Sequence, residues 1–242
     1  MTHKETNQMV YAAVILLLFL VVFLLVINFP NNSEVKSTVK DVFLEEKKMH
    51  HNDYVDLVNT LVVAYDIFLK YINVMNENAI PMFEAMNKYC YYDTYVNAMN
   101  DASNLLNTIY NDALALQAAI SVPKMNETLV KNLVYNIRHN MKDLYKEINK
   151  GQYQLLYVYE KVLKYNHLYQ QFSGNIYNIL QVQTDSHLAI ANYDYKHKIE
   201  KKYYKIMNKM GYYCDKKVVD EIEELYEIFC SNFYHWYDKN ID

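Results

Sequence analysis

Hydrophobic positions follow two regimes along this chain. Residues 9–27 form one unbroken apolar run of nineteen residues, with nothing more polar than Tyr11. From about residue 52 onward, apolar positions recur three and four apart, the period of a helix that buries one face.

The first regime predicts a membrane span. A helix of nineteen residues is roughly 28 Å long, close to the hydrocarbon thickness of a bilayer. A buried helix in a soluble protein rarely runs so far without a polar member. A cleaved signal peptide fits less well, because its apolar stretch is usually shorter. Only Lys4 supplies side-chain positive charge before the run, and the exit Asn28-Phe29-Pro30-Asn31-Asn32 has no small-x-small cleavage pattern. The expected plan is therefore a short tail over 1–8, an uncleaved single-pass signal-anchor over 9–29 and a polar membrane-proximal segment over 30–50. Lys36, Lys40, Lys47 and Lys48 lie beyond the run and pull the C-terminal part toward the cytoplasm. The short N-terminal tail suits a signal-anchor that exports the C-terminal part, and export is the expectation taken here.

The second regime predicts helices over about 52–79, 82–90, 94–120, 126–172, 175–210 and 216–238. In the first, Val55, Val58, Val62, Tyr65, Leu69 and Ile72 form one stripe and Leu57, Leu61, Ala64, Phe68, Tyr71 and Met75 a second. Pro81 should bend or break that helix near residues 78–80. The cleanest seam is Tyr95, Met99, Ala102, Leu106, Ile109, Ala113, Leu116 and Ile120, a heptad-like alternation behind Asp93 as cap. Over 126–172 the stripe runs from Val130 to Phe172, with Gly151 where another apolar member would fall, the mark of a tight crossing or a kink. Ser173-Gly174 punctuates it. The next stripe weakens through Gln183-Thr184-Asp185-Ser186-His187 and stops at Gly211; Asp215 can cap the last helix. The predicted fold is all-α: a single N-terminal transmembrane helix, then an elongated antiparallel bundle of four to five long helices with coiled-coil-like packing over 51–238, and a tail over 239–242.

Composition narrows this further. Three glycines and three prolines in 242 residues leave little turn material for sandwiches, barrels or glycine-loop enzymes. A net charge of −4, with Arg138 as the sole arginine, argues against nucleic acid as a partner. The Lys, Asn and Tyr bias matches an AT-rich genome and makes a viral, parasitic or low-GC bacterial source a candidate. Cys90, Cys214 and Cys230 are too few and too widely spaced for a zinc site or a disulfide scaffold. An up-down bundle puts Cys90 and Cys214 at opposite poles, so no intramolecular disulfide is expected.

No phosphate loop, nucleophile elbow or H-E-x-x-H motif is present in the sequence. Asp194, His197 and Glu200 share a helical face but sit among lysines, His139 and Asp143 form a one-turn pair, and His50-His51 marks a helix start. None of these is expected to be catalytic, cofactor-binding or metal-binding, so the chain is read as a non-enzyme without a cofactor. The 26 tyrosines suit packing and protein interfaces. The dense terminal group Phe233, Tyr234, Trp236 and Tyr237 is the candidate partner-binding surface. Of two sequons, Asn31-Asn32-Ser33 lies against the membrane exit, and Asn126-Glu127-Thr128 makes Asn126 the better glycosylation candidate.

The expected function is a membrane-anchored helical interaction or structural protein, one form of which is a component of a viral envelope or entry complex. Its partners are the lipid bilayer, through 9–29, and an unidentified protein; self-association is open. The alternatives are an anchored helical ligand-binding or sensor domain, and a secreted helical binding protein after signal cleavage. The membrane could be a viral envelope or a cell membrane. Sequencing the N-terminus of the mature membrane-bound protein is expected to place it before residue 28; a start beyond that residue means cleavage and refutes the anchor.

Overall fold

Three-four spacing of apolar side chains yields six helices. The computed structural model describes residues 49–86, 92–211 and 216–242. The apolar run 9–27, Cys90, Cys214 and Asp215 lie outside the described residues. The helices are α1 (His51–Ala85), α2 (Tyr92–Ile120), α3 (Glu127–Lys164), α4 (Asn166–Ile190), α5 (Tyr193–Met210) and α6 (Lys216–Asn240). All regular structure among the described residues is helical, and no helix among them is long and apolar enough to cross a membrane. They belong to one unit, His50–Asp242.

In α2, all eight residues of the expected seam are buried, with Ala98 beside them. Core contacts in α1 come from the second stripe together with Val58 and Ile72, while Val55, Val62, Tyr65 and Leu69 flank it half-buried. Asn126 caps α3, its side-chain oxygen accepting from the Leu129 N–H at 3.1 Å, and Asn192 caps α5 through Tyr195 in the same way. Asp93 lies in the first turn of α2 rather than ahead of it.

Two expected boundaries move. α1 runs through Pro81 to Ala85. A mid-helix proline costs about 3 kcal/mol. Just beyond it, however, Met82 and Phe83 are buried, each returning roughly 1.5–3 kcal/mol of apolar transfer energy. α4 also ties into this stretch, because the Asn175 and Asn178 amides donate to the Asn78 backbone and side-chain oxygens at 3.2 and 3.0 Å. The expected helix over 126–172 breaks earlier, at Tyr165, which is extended, and Ser173-Gly174 falls inside α4. The apolar stripe continues past Tyr165 because both helices bury a face, so the reversal leaves no trace in the pattern. A second unforeseen break at Ala191 and Asn192 separates α5 from α4.

Helices α1 to α4 run up-down-up-down. Tyr65 stacks on Tyr110 and Phe83 on Tyr95, which sets α1 against α2. Met99 covers Gly151, where α2 meets α3 in the most extensive helix contact of the unit. Asn78 with Asn178, and Tyr71 with His187, set α1 against α4. α4 is only 25 residues long, against 35 for α1 and 38 for α3. Beyond its end, the C-terminal half of α6 fills the fourth position: Phe233 and Trp236 pack on Phe68 of α1, and Tyr145 of α3 stacks on Phe233. Arg138 of α3 closes this half, donating to the carbonyls of Ile241 and Asp242 at 2.7 and 3.1 Å. α5 doubles back along α4, where the Tyr169 hydroxyl donates to the Met210 carbonyl, and pairs with the first half of α6.

The two helical glycines separate cleanly. A Cβ at Gly151 would lie 2.2 Å from the fully buried Met99 Cε, whereas one at Gly174 would meet nothing within 4 Å. Gly174→Ala is expected to raise stability by about 0.5–1 kcal/mol through helix propensity alone. Gly151→Ala is expected to lower it by about 1 kcal/mol, because overpacking outweighs the propensity gain. Denaturant titration in a Met99→Ala background should turn the Gly151→Ala effect neutral or stabilising; an unchanged sign would refute the close crossing.

Candidate functional site

The stretch 183–187, which looks in sequence like a fading of the apolar stripe, is buried except at Asp185. Gln183, Thr184, Ser186 and His187 all lie inside, where α4 gives way to α6. A helix end leaves its last four carbonyls without intrahelical donors. The His187 carbonyl is one of these, and the fully buried Asn232 of α6 supplies a donor at 3.1 Å. The buried Asn232 therefore serves the carbonyl of the last buried residue of α4.

The His187 ring stacks on Phe229 at 4.1 Å between centroids and meets the Tyr71 ring edge-on at 6.2 Å. Burial pushes its pKa down to about 3, so the imidazole is neutral near pH 7. Its Nδ1, the Tyr226 hydroxyl, the Thr184 hydroxyl and the Asn232 side-chain oxygen are buried without a hydrogen-bond partner. Such atoms cost about 1–3 kcal/mol each. Alongside lies a cavity of about 20 Å³, room for about one water, lined in part by His187, Tyr226, Cys230, Tyr145 and Gln152. The Gln152 amide donates to the Tyr71 hydroxyl, and the Cys230 thiol lies 3.9 Å from Asn149 Oδ1. Burial, reinforced by the Cys230 thiol beside them, raises the Tyr145 and Tyr226 phenols well above the usual tyrosine range. No carboxylate lines the cavity, and no group of three His, Cys, Asp or Glu that could hold a metal occurs among the described residues. The seam is a neutral hydrogen-bonding site that takes up a proton only at a cost.

A second, charged site joins α5 to α6. Glu221 is 11 % exposed and receives Lys202 and Lys209 at 2.9 Å each, with Lys205 as a third partner; Lys202 also reaches Glu224. Burial opposes its charge, but the three ammonium groups prevail and hold the carboxyl down at about 2. The lysine spacing of three and four on α5 is visible in sequence. Its acidic partner is on another helix and is not.

The sequence candidates land in different places. Phe233, Trp236 and Tyr237 are buried, which corrects the expectation of an exposed aromatic surface at those three positions; only Tyr234, 54 % exposed, faces solvent. They are core residues because α6, not α4, closes the groove between α1 and α3. Asn126 is exposed and caps α3 through its oxygen, the atom a glycan does not occupy. His139 and Asp143 pair at 3.4 Å, and Lys146 at 2.7 Å is the main reason the Asp143 carboxyl is lowered. Asp194, His197 and Glu200 are exposed on α5. The His50 backbone N–H donates to Asp53 at 2.7 Å, closing the start of α1. No protein-family model matches the chain, and neither a curated protein nor a solved structure is similar to it.

Glu221 carries a definite pH signature. Its pKa is lower in the folded protein than the ordinary value of 4.5, so its contribution is present above pH 4.5 and lost as pH falls toward about 2. Urea titrations across that window should show the wild type weakening more steeply than Glu221→Gln; equal slopes would refute the lysine clamp.

Proposed function

We propose that this chain is a membrane-anchored helical interaction protein, with residues 9–29 in the bilayer and the bundle presenting a protein-binding surface. The observation that carries this reading is the juxtaposition, in one chain, of a nineteen-residue apolar run and a bundle that leaves large tyrosines in water. Tyr193, Tyr135, Tyr153 and Tyr204 are 65–86 % exposed, and Tyr234 joins them. A tyrosine offers broad apolar area with a polar handle at little entropic cost, which suits interfaces. These five replace the buried aromatics as the proposed contacts. We place the bundle on the exported side, in a viral envelope or cell membrane, where Asn126 is an accessible glycan acceptor at a helix cap.

A second reading, an anchored sensor domain, draws on the buried seam. A neutral histidine with an unpartnered nitrogen beside a water-sized cavity is a costly arrangement for a purely structural core.

Proximity crosslinking in native membranes, with the intact chain and one lacking residues 1–29, tests the first reading. A defined protein partner is expected with the intact chain. Its capture should fall severalfold when Tyr135, Tyr153, Tyr193, Tyr204 and Tyr234 are changed to Ser, with helical content unchanged. Undiminished capture by the Ser variant would overturn the tyrosine surface, and capture indifferent to the deletion would overturn the role of the anchor.

A further inference from the structure

We propose that His187 is an acid-operated latch: a proton on its ring opens the seam between the end of α4 and the middle of α6 and uncovers Phe229 and Phe233. Among the seven histidines in the described residues, His187 alone is buried; His50, His51, His139, His167, His197 and His235 are exposed. Its ring lies flat on Phe229, and the only backbone tie across the seam at this point is the Asn232 amide on the His187 carbonyl.

The surroundings offer a proton no compensation. Tyr71 of α1 meets the ring edge-on, and Tyr145 of α3 with Tyr226 and Cys230 of α6 line the same cavity; Asn149 and Gln152 complete the polar lining. Burial raises the three phenols above the usual tyrosine range, so none of them carries a charge that could pair with an imidazolium. Asp185, the nearest carboxylate in sequence, is exposed, and neither α2 nor α5 contributes to the cavity wall. An imidazolium formed here would be an unpaired buried cation. It is relieved only by letting water reach the ring, which means parting α4 from α6.

The opening stays local because α6 is fastened on both sides of the seam. Toward its start, the Glu221 carboxylate holds Lys202, Lys205 and Lys209, and its lowered pKa keeps it charged throughout the range from pH 7.5 to 5. Toward its end, Arg138 holds the carbonyls of Ile241 and Asp242, and the Tyr237 hydroxyl donates to the Arg138 carbonyl at 3.2 Å. The moving parts are the last turns of α4 against the middle of α6. The inference deepens the sensor reading and does not depend on the tyrosine surface or on the membrane anchor.

Hydrogen exchange on the intact chain in lipid nanodiscs, corrected for intrinsic exchange rates, tests it between pH 7.5 and 5. Segments 183–190 and 225–234 are expected to open about tenfold more per pH unit below roughly 6.5, the slope for uptake of one proton. Protection of α2 should stay constant. His187→Gln should flatten the slope, as should His187→Phe, which keeps a ring on Phe229. The proposal is overturned by a flat wild-type profile, by a slope that survives in the folded variants, or by α2 opening in step with the seam.

Discussion

A mismatch of helix lengths governs the architecture of this domain. α1 and α3 present a continuous apolar groove, and α4 is too short to cover it. The uncovered half must be closed, and the second half of α6 closes it with Phe233, Trp236 and Tyr237. One position of a four-helix bundle is thus shared by two helices from distant parts of the sequence. Where one stops and the other takes over, backbone carbonyls lose their helical donors inside the core. The buried Asn232 answers that need at the His187 carbonyl.

α5 is held by a different force. It buries only Ile199, Ile206 and Met210, too little apolar surface to fix an 18-residue helix firmly on its own. Glu221 supplies the rest, gathering three lysines from successive turns of one face. Exposed pairs of this kind contribute about 0–1 kcal/mol each. Here the carboxylate is mostly enclosed and shared, so its loss would leave three ammonium groups in mutual repulsion. The clamp also fixes the start of α6, and through it the approach of Phe229 to His187.

The two sites favour different functional uses. Exposed tyrosines spread over α3, α5 and α6 suit the proposed contact with another protein, because they lie outside the core. The seam suits the proposed change of state, because its polar atoms are incompletely satisfied and burial keeps its histidine neutral. Aromatic residues of α6 divide between these uses: Tyr234 belongs to the surface, and Phe229 and Phe233 belong to the seam.

Three-four spacing by itself determined that the chain beyond residue 50 is helical, and it placed the face of α2 residue by residue, since an apolar stripe of that period has no other way to leave water. It also marked Gly151 as a tight crossing or a kink, and Met99 lies against that glycine where α2 meets α3. Tertiary structure alone decided where helices end. Pro81 is carried inside α1 because buried neighbours and two asparagines of α4 offset its cost. Tyr165 reverses the chain although the stripe runs on, because either side of a hairpin buries the same period. Sequence could not tell that Gln183, Thr184, Ser186 and His187 are interior or that Phe233, Trp236 and Tyr237 are core. Burial there is set by which distant helix closes the groove, and local spacing carries no information about a partner from a remote part of the chain.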